Sequence, residues 1–346
     1  MAEPGAGSPS LGSRLATVVV ATVLSLSVAE LVLRVLVPVP RVFPFDSDTI
    51  EFTGGTPRHL LKPNTTSVMT DGYFREEVRT NQFGHRDLYD DSKPPGLLAF
   101  GDSQTFGHGS AVTDSWPEIL QSQLDVNVVN VGIWGYGLGD YLALMTSYIE
   151  LYDFDTAIYG MTFNDFCPAF AAEREADEGE DAGVMQWARM RTVWLRRFTA
   201  LGIVTSAAVN NVLSRLELET ATIPIERCRS ISIEAIHALD DILRENGKSL
   251  AIVYLPSPNQ ARPDIWALMQ RRTNYSNRTV PDLLAAGLRP SIPFIDATPA
   301  LEARYLESGS QRSALMLEVD PHYNRSGHEV LAGEALKLIR REGPGS

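Results

Sequence analysis

From residue 97 onward the apolar and polar positions of the chain alternate between two periods. Short continuous apolar runs occur at 97–100, 126–131, 156–161, 249–255 and 292–296. Such runs suit strands of a parallel sheet, which is covered on both faces and therefore needs no polar side. Between them, apolar residues recur at helical spacing over 115–124, 138–151, 231–246, 298–306 and 327–340. This alternation predicts a doubly wound α/β sheet, with functional residues gathered at the carboxyl ends of the strands.

Two stretches break the rhythm. Residues 15–40 read LATVVVATVLSLSVAELVLRVLVPVP, and 15–36 reaches the roughly 20 apolar residues that a membrane span needs. Glu30 and Arg34 stand i,i+4 near its far end, where they can pair, or Arg34 can extend to the interface. The run is longer than the apolar core of a cleavable leader, so a tail at 1–14 and an uncleaved signal anchor at 15–38 are expected. A cleaved leader and a buried core helix are the alternatives. Arg14 lies on one side and Arg34 and Arg41 on the other, so charge does not orient the helix. The second break, about 171–224, begins with the acidic EREADEGEDAG and continues with Trp187, Trp194 and many arginines. It predicts a solvated loop followed by a helical insertion over or beside the site. Residues 39–95, rich in Pro, Gly, Asp and Thr, read as a stalk and lead-in packed on the main domain at 96–342.

Composition narrows the partners. At 346 residues and 44% hydrophobic the chain can bury a sizeable core, and a net charge of −13 argues against general nucleic-acid binding. Cys167 and Cys228 make neither a disulfide framework nor a zinc pattern. They pair if the domain is exported, or remain two core thiols.

The chemistry begins at 97–107, LLAFGDSQTFG. A strand running into Gly-Asp-Ser and then a helix exposes the Ser103 hydroxyl where backbone N–H groups favour a developing oxyanion. The plainer alternative is an N-cap serine. A nucleophilic serine needs a base, and six histidines are available. His59, His85 and His237 read as surface or packing residues, and His328 as a capping or packing residue of the last helix. His108 is expected to be carried away from Ser103 by the helix that starts there. His322 differs because it lies in VDPHYNRSGH. Proline keeps Asp320 extended, which brings the i and i+2 side chains to one side. Asp320 can then fix the His322 tautomer, or simply form a loop salt bridge or an Asx-type turn. Oxyanion donors are offered by Gly135 in NVGIWGYG, whose backbone can approach a substrate closely, and by the Asn164 amide in GMTFNDF.

Four blocks in order, FGDSQTFG, VVNVGIWGYG, MTFND and DPHYNRSGH, resemble the SGNH, or GDSL-like, hydrolase superfamily. TNQFGHRD at 80–87 is similar to a bacterial membrane-anchored branch of it. The resemblance covers roughly 81–338 apart from the insertion. It implies a three-layer flavodoxin-like α/β fold with a mostly parallel five-stranded sheet, preceded here by one transmembrane helix. It further implies Ser103 as nucleophile, His322 as base and Asp320 as its orienter. The oxyanion hole would be formed by the Ser103 N–H, the Gly135 N–H and the Asn164 side chain. Two departures stand out. Gln104 replaces leucine, a change expected to have no chemical consequence, and one residue rather than two separates Asp320 from His322.

The expected function is a membrane-anchored serine esterase, outside the cytoplasm, cleaving small acyl esters such as acetyl groups on a glycan. An O-acyltransferase of extracytoplasmic polysaccharide with the same triad is one alternative. A non-catalytic carbohydrate-binding or assembly component is the other. No metal, organic cofactor or nucleic-acid partner is implied.

Overall fold

The computed structural model describes residues 11–36, 49–53, 55–57, 59–70, 74–90, 92–166, 225–257, 260–265, 280–317, 320 and 322–341. The expected insertion at 171–224 and Cys167 lie outside the described residues.

Five strands form one wholly parallel sheet. They are β5 (Gly96–Gly101), β6 (Val128–Asn130), β7 (Phe154–Thr162), β8 (Ser249–Leu255) and β9 (Phe294–Asp296), in the order β6-β5-β7-β8-β9. The strands are apolar because both faces are buried. Along β5, Leu97 and Ala99 enter one core with Trp116, Ile158, Val253 and Leu331, while Leu98 and Phe100 enter another with Tyr141, Tyr159, Ile236 and Ile252. Helices cover both faces, giving the three layers expected. They are α2 (Ser103–Phe106), α3 (Trp116–Gln121), α4 (Leu138–Leu151), α5 (Ile225–Glu245), α6 (Val280–Gly287), α7 (Thr298–Glu307) and α8 (Arg325–Arg341). In α4 the buried Leu138, Tyr141, Met145 and Tyr148 fall on one helical stripe, each contributing about 1.5–3 kcal/mol of apolar burial.

The lead-in is more structured than a stalk. It holds two antiparallel pairs, β1 (Ile50–Phe52) with β2 (His59–Leu61), and β3 (Thr66–Thr70) with β4 (Arg75–Arg79). Their buried residues Ile50, Leu61, Met69 and Val78 share a small core with Phe106 of α2. This segment therefore packs against the element that begins at Ser103.

The N-terminal helix, α1, covers Leu11–Leu36 and belongs to a separate compact unit. Among the described residues no helix is both long and apolar enough to cross a membrane. The described side chains of α1 run over 17–33. The transmembrane helix expected over 15–38 is not supported in the described residues.

Candidate active site

The order β6-β5-β7 reverses the chain's direction of travel across the sheet at β5, and a doubly wound sheet opens its crevice at such a reversal. The strand ends supply the candidate residues: Ser103 after β5, Gly135 after β6 and Asn164 after β7.

The turn at Ser103 is built by its neighbours. Gly101 has φ +156°, and a Cβ there would lie 2.2 Å from Thr105 Oγ1 and 2.7 Å from the Gly160 carbonyl, so only glycine lets β5 turn this tightly. Asp102 is the N-cap of α2, its Oδ1 accepting from the Gln104 N–H at 2.9 Å. Capping therefore falls to Asp102 and leaves the serine hydroxyl uncommitted, which removes the N-cap reading of Ser103.

That hydroxyl meets His322. Ser103 Oγ lies 2.8 Å from His322 Nε2, and His322 Nδ1 is bound on its other side to Asp320 Oδ1. The same Asp320 oxygen accepts the His322 backbone N–H at 2.9 Å. The Asx-type turn and the ring-orienting contact are thus one arrangement: the turn holds the carboxylate where the imidazole needs it. Burial pushes the Asp320 carboxyl up, but the hydrogen bonds from His322 and the positive charge that can form there outweigh it and hold the group below its ordinary range.

Asn164 and Gly135 are exposed at the same strand ends. Asn164 Nδ2 donates to Asp102 Oδ2 at 3.1 Å, and its Oδ1 accepts from Thr162 Oγ1 at 2.6 Å. One amide hydrogen is thereby used to orient the group and the other is left for a ligand. Behind it Asp165 is fully buried. Burial first, and the nearby Asp102 second, push its carboxyl well up. Gly135 has φ +77°, and its loop is tied to the end of β5 by the Ile133 N–H on the Gly101 carbonyl at 3.0 Å. Trp134 next to it stacks edge-on against His59 with ring centroids 4.2 Å apart.

Two residues correct the sequence reading. His108 is not carried away. Its ring lies 4.2 Å from that of His322, tilted by 37°. Burial, then the proximity of His322, lowers it to about 3, so it is neutral at neutral pH. Gln104 is buried, and its Oε1 accepts the Tyr323 N–H at 3.3 Å, while Ser110 Oγ donates to the Tyr323 carbonyl at 3.3 Å. The residue after His322 is thus held from both sides by the segment that carries Ser103. A buried glutamine needs a partner, and that requirement was the signal available in the sequence. The remaining histidines behave as expected of packing groups: His85 bonds Tyr152 at 2.6 Å, and His328 is fully buried against Tyr323.

Arg86, inside TNQFGHRD, explains how the turn after α2 is fixed. Its guanidinium donates to the carbonyls of Phe106 (3.1 Å), Gly107 (2.9 Å) and Ser110 (2.7 Å). Burial lowers it to about 10, which leaves it charged at neutral pH.

No family model matches the chain, and no curated protein does. Solved structures do. One, from Desulfitobacterium hafniense and assigned to the lipolytic G-D-S-L family, is 13% identical with a TM-score of 0.37, over 70% of this chain and 98% of its own. The acetyl xylan esterase AlAXEase is 12% identical, TM-score 0.40, over 70% and 99%. The psychrotrophic esterase EstA from a Pseudoalteromonas is 14% identical, TM-score 0.37, over 71% and 97%. Likenesses this distant say nothing about activity, which rests on the residues above.

Proposed function

We propose that the protein is a serine ester hydrolase that works through an acyl-enzyme. The observation that carries this reading is the continuous contact from Asp320 through His322 to Ser103, with the 2.8 Å Nε2–Oγ approach at its reacting end. Ser103 Oγ attacks the ester carbonyl as His322 Nε2 takes its proton, and Asp320 stabilises the imidazolium. The N–H groups of Ser103 and Gly135 and the free Asn164 hydrogen receive the oxyanion, each such donor being worth about 10²–10³ in rate. His322 returns the proton to the leaving alcohol, and water then repeats the sequence on the acyl-enzyme.

The acyl group in this reading is small, in keeping with the His108 ring that lies 4.2 Å from that of His322. The alcohol is a glycan hydroxyl, with the half-buried Trp134 beside Gly135 as an aromatic face for it. The catalytic unit in this reading lies outside the cytoplasm, held at a lipid surface through α1. Val18, Val19, Val20, Val23, Leu24 and Leu31 are 55–64% exposed there, an apolar surface that calls for lipid. Cys228 is disulfide-bonded, which suits an oxidising compartment.

Replacing Ser103 with alanine should abolish hydrolysis of p-nitrophenyl acetate while leaving the thermal midpoint in place. Undiminished turnover would remove the reading. A product that forms only when an oligosaccharide acceptor is added, with no free acid released, would instead make the protein an acyltransferase.

A further inference from the structure

Beside the proposed reaction centre stands one imidazole that the mechanism does not use. His108 is 7% exposed, and its Nδ1 is buried with no hydrogen-bond partner. Leaving such a group unsatisfied costs about 1–3 kcal/mol, so its retention needs a reason. The Arg86 clamp on the carbonyls either side of it keeps it in place. His108, His322 and Asp320 each present one ligand atom, and all three atoms lie within 4.8 Å of one another. Two imidazoles and a carboxylate with a fourth position open are a donor set that zinc accepts. Bonds of about 2.0–2.2 Å in a tetrahedral arrangement put ligand atoms roughly 3.3–3.5 Å apart. Small side-chain rotations therefore bring the three into range.

We propose that His108, His322 and Asp320 bind a borderline divalent cation of the Zn²⁺ type, and that its binding switches the hydrolase off. The second half rests on the serine hydrolase reading; the first does not. Inhibition follows whichever His322 nitrogen the cation takes. At Nε2 it occupies the lone pair that receives the Ser103 proton. At Nδ1 it moves the ring proton to Nε2, which then cannot act as a base. In neither case is a covalent bond made or an electron transferred, so a chelator restores the free site.

The binding test uses the full chain carrying Ser103→Ala, which performs no hydrolysis and retains all three ligands. Calorimetric titration with ZnCl₂ should show a site that weakens by more than the ~10–100-fold lost with an outer-shell partner when His108→Gln is added. Equal Zn²⁺ affinity in the two chains overturns the proposal. Because His108→Gln could disturb folding, Co²⁺ is also added to the chain with His108 intact, where visible ligand-field bands of a nitrogen and oxygen site are expected. Their absence also overturns it. In the unsubstituted protein Zn²⁺ should suppress p-nitrophenyl acetate hydrolysis and a chelator restore it. Full turnover with the site filled would refute the inhibitory half. Zn²⁺ binding lost with His108 in a chain that cleaves no ester would uphold the site and sink the hydrolase reading alone.

Discussion

Gln104 shows how much of the site hangs on single side chains. Set where leucine stands in the resembling family, it was expected to be chemically silent, yet its carbonyl accepts the N–H of the residue that follows His322. Leucine there would leave a buried N–H unsatisfied and loosen the 2.8 Å approach of His322 to Ser103. Gln104→Leu should lower kcat about tenfold, the equivalent of ~1.4 kcal/mol on the barrier, with KM little changed. Steady-state kinetics on a chromogenic ester checks this. A rise in KM at constant kcat would point to the substrate pocket rather than the base. Asp320 and His322 could be read from the sequence because Pro321 separates them and a local turn suffices to join them. His108 could not, because its contact with His322 depends on the path of a loop, and that path is set by Arg86 from outside the sheet.

At the scale of elements, agreement between pattern and structure tracks burial. β8 and α4 have the expected bounds, 249–255 and 138–151, because the apolar run and the pairing or stripe end together. At β6 and β9 the apolar runs outlast the pairing, and each strand keeps three residues. The hairpins β1–β4 were not foreseen. TSVMT and REEVR carry one fully buried side chain apiece, Met69 and Val78, too few to mark a strand. These strands nonetheless form the platform beneath α2, and Arg86 continues it. Arg86→Ala removes three hydrogen bonds from a charged donor, each worth about 1.5–3 kcal/mol. Chemical denaturation should therefore show a loss of about 3 kcal/mol or more, and activity should fall further than at a surface arginine. An unchanged denaturation midpoint would mean that water replaces the guanidinium.

For the molecule as a whole, the doubly wound sheet was implied by the alternation of elements, whereas the strand order, and the crevice at the β5 reversal that follows from it, is seen only in the structure. The buried charge was not legible, because it depends on which polar residues the lead-in covers. Glu118 in α3 is the clearest case. Burial pushes it up from 4.5 to about 8 despite its bond from the Leu88 N–H, with Asp87 adding to the rise and Arg86 opposing it. Between those two values the folded state holds a proton that the unfolded chain has lost, so stability falls as pH rises from about 4.5 to about 8. Glu118→Gln keeps an acceptor for the Leu88 N–H and does not titrate. The variant should gain in melting temperature over the native chain at pH 8 relative to pH 5. A constant difference across that range would show that Glu118 ionises freely.

The lengths of the outer strands have a consequence for crowding. The interior strands β5, β7 and β8 have six, nine and seven residues, while the two at the margins, β6 and β9, have three each. A margin that short offers a passing polypeptide only one or two free backbone donors and acceptors, too few to template a further strand. The sheet that carries the site thus closes itself to edgewise growth into aggregates by brevity, with Asp296 in β9 and Pro293 just before it adding to the guard.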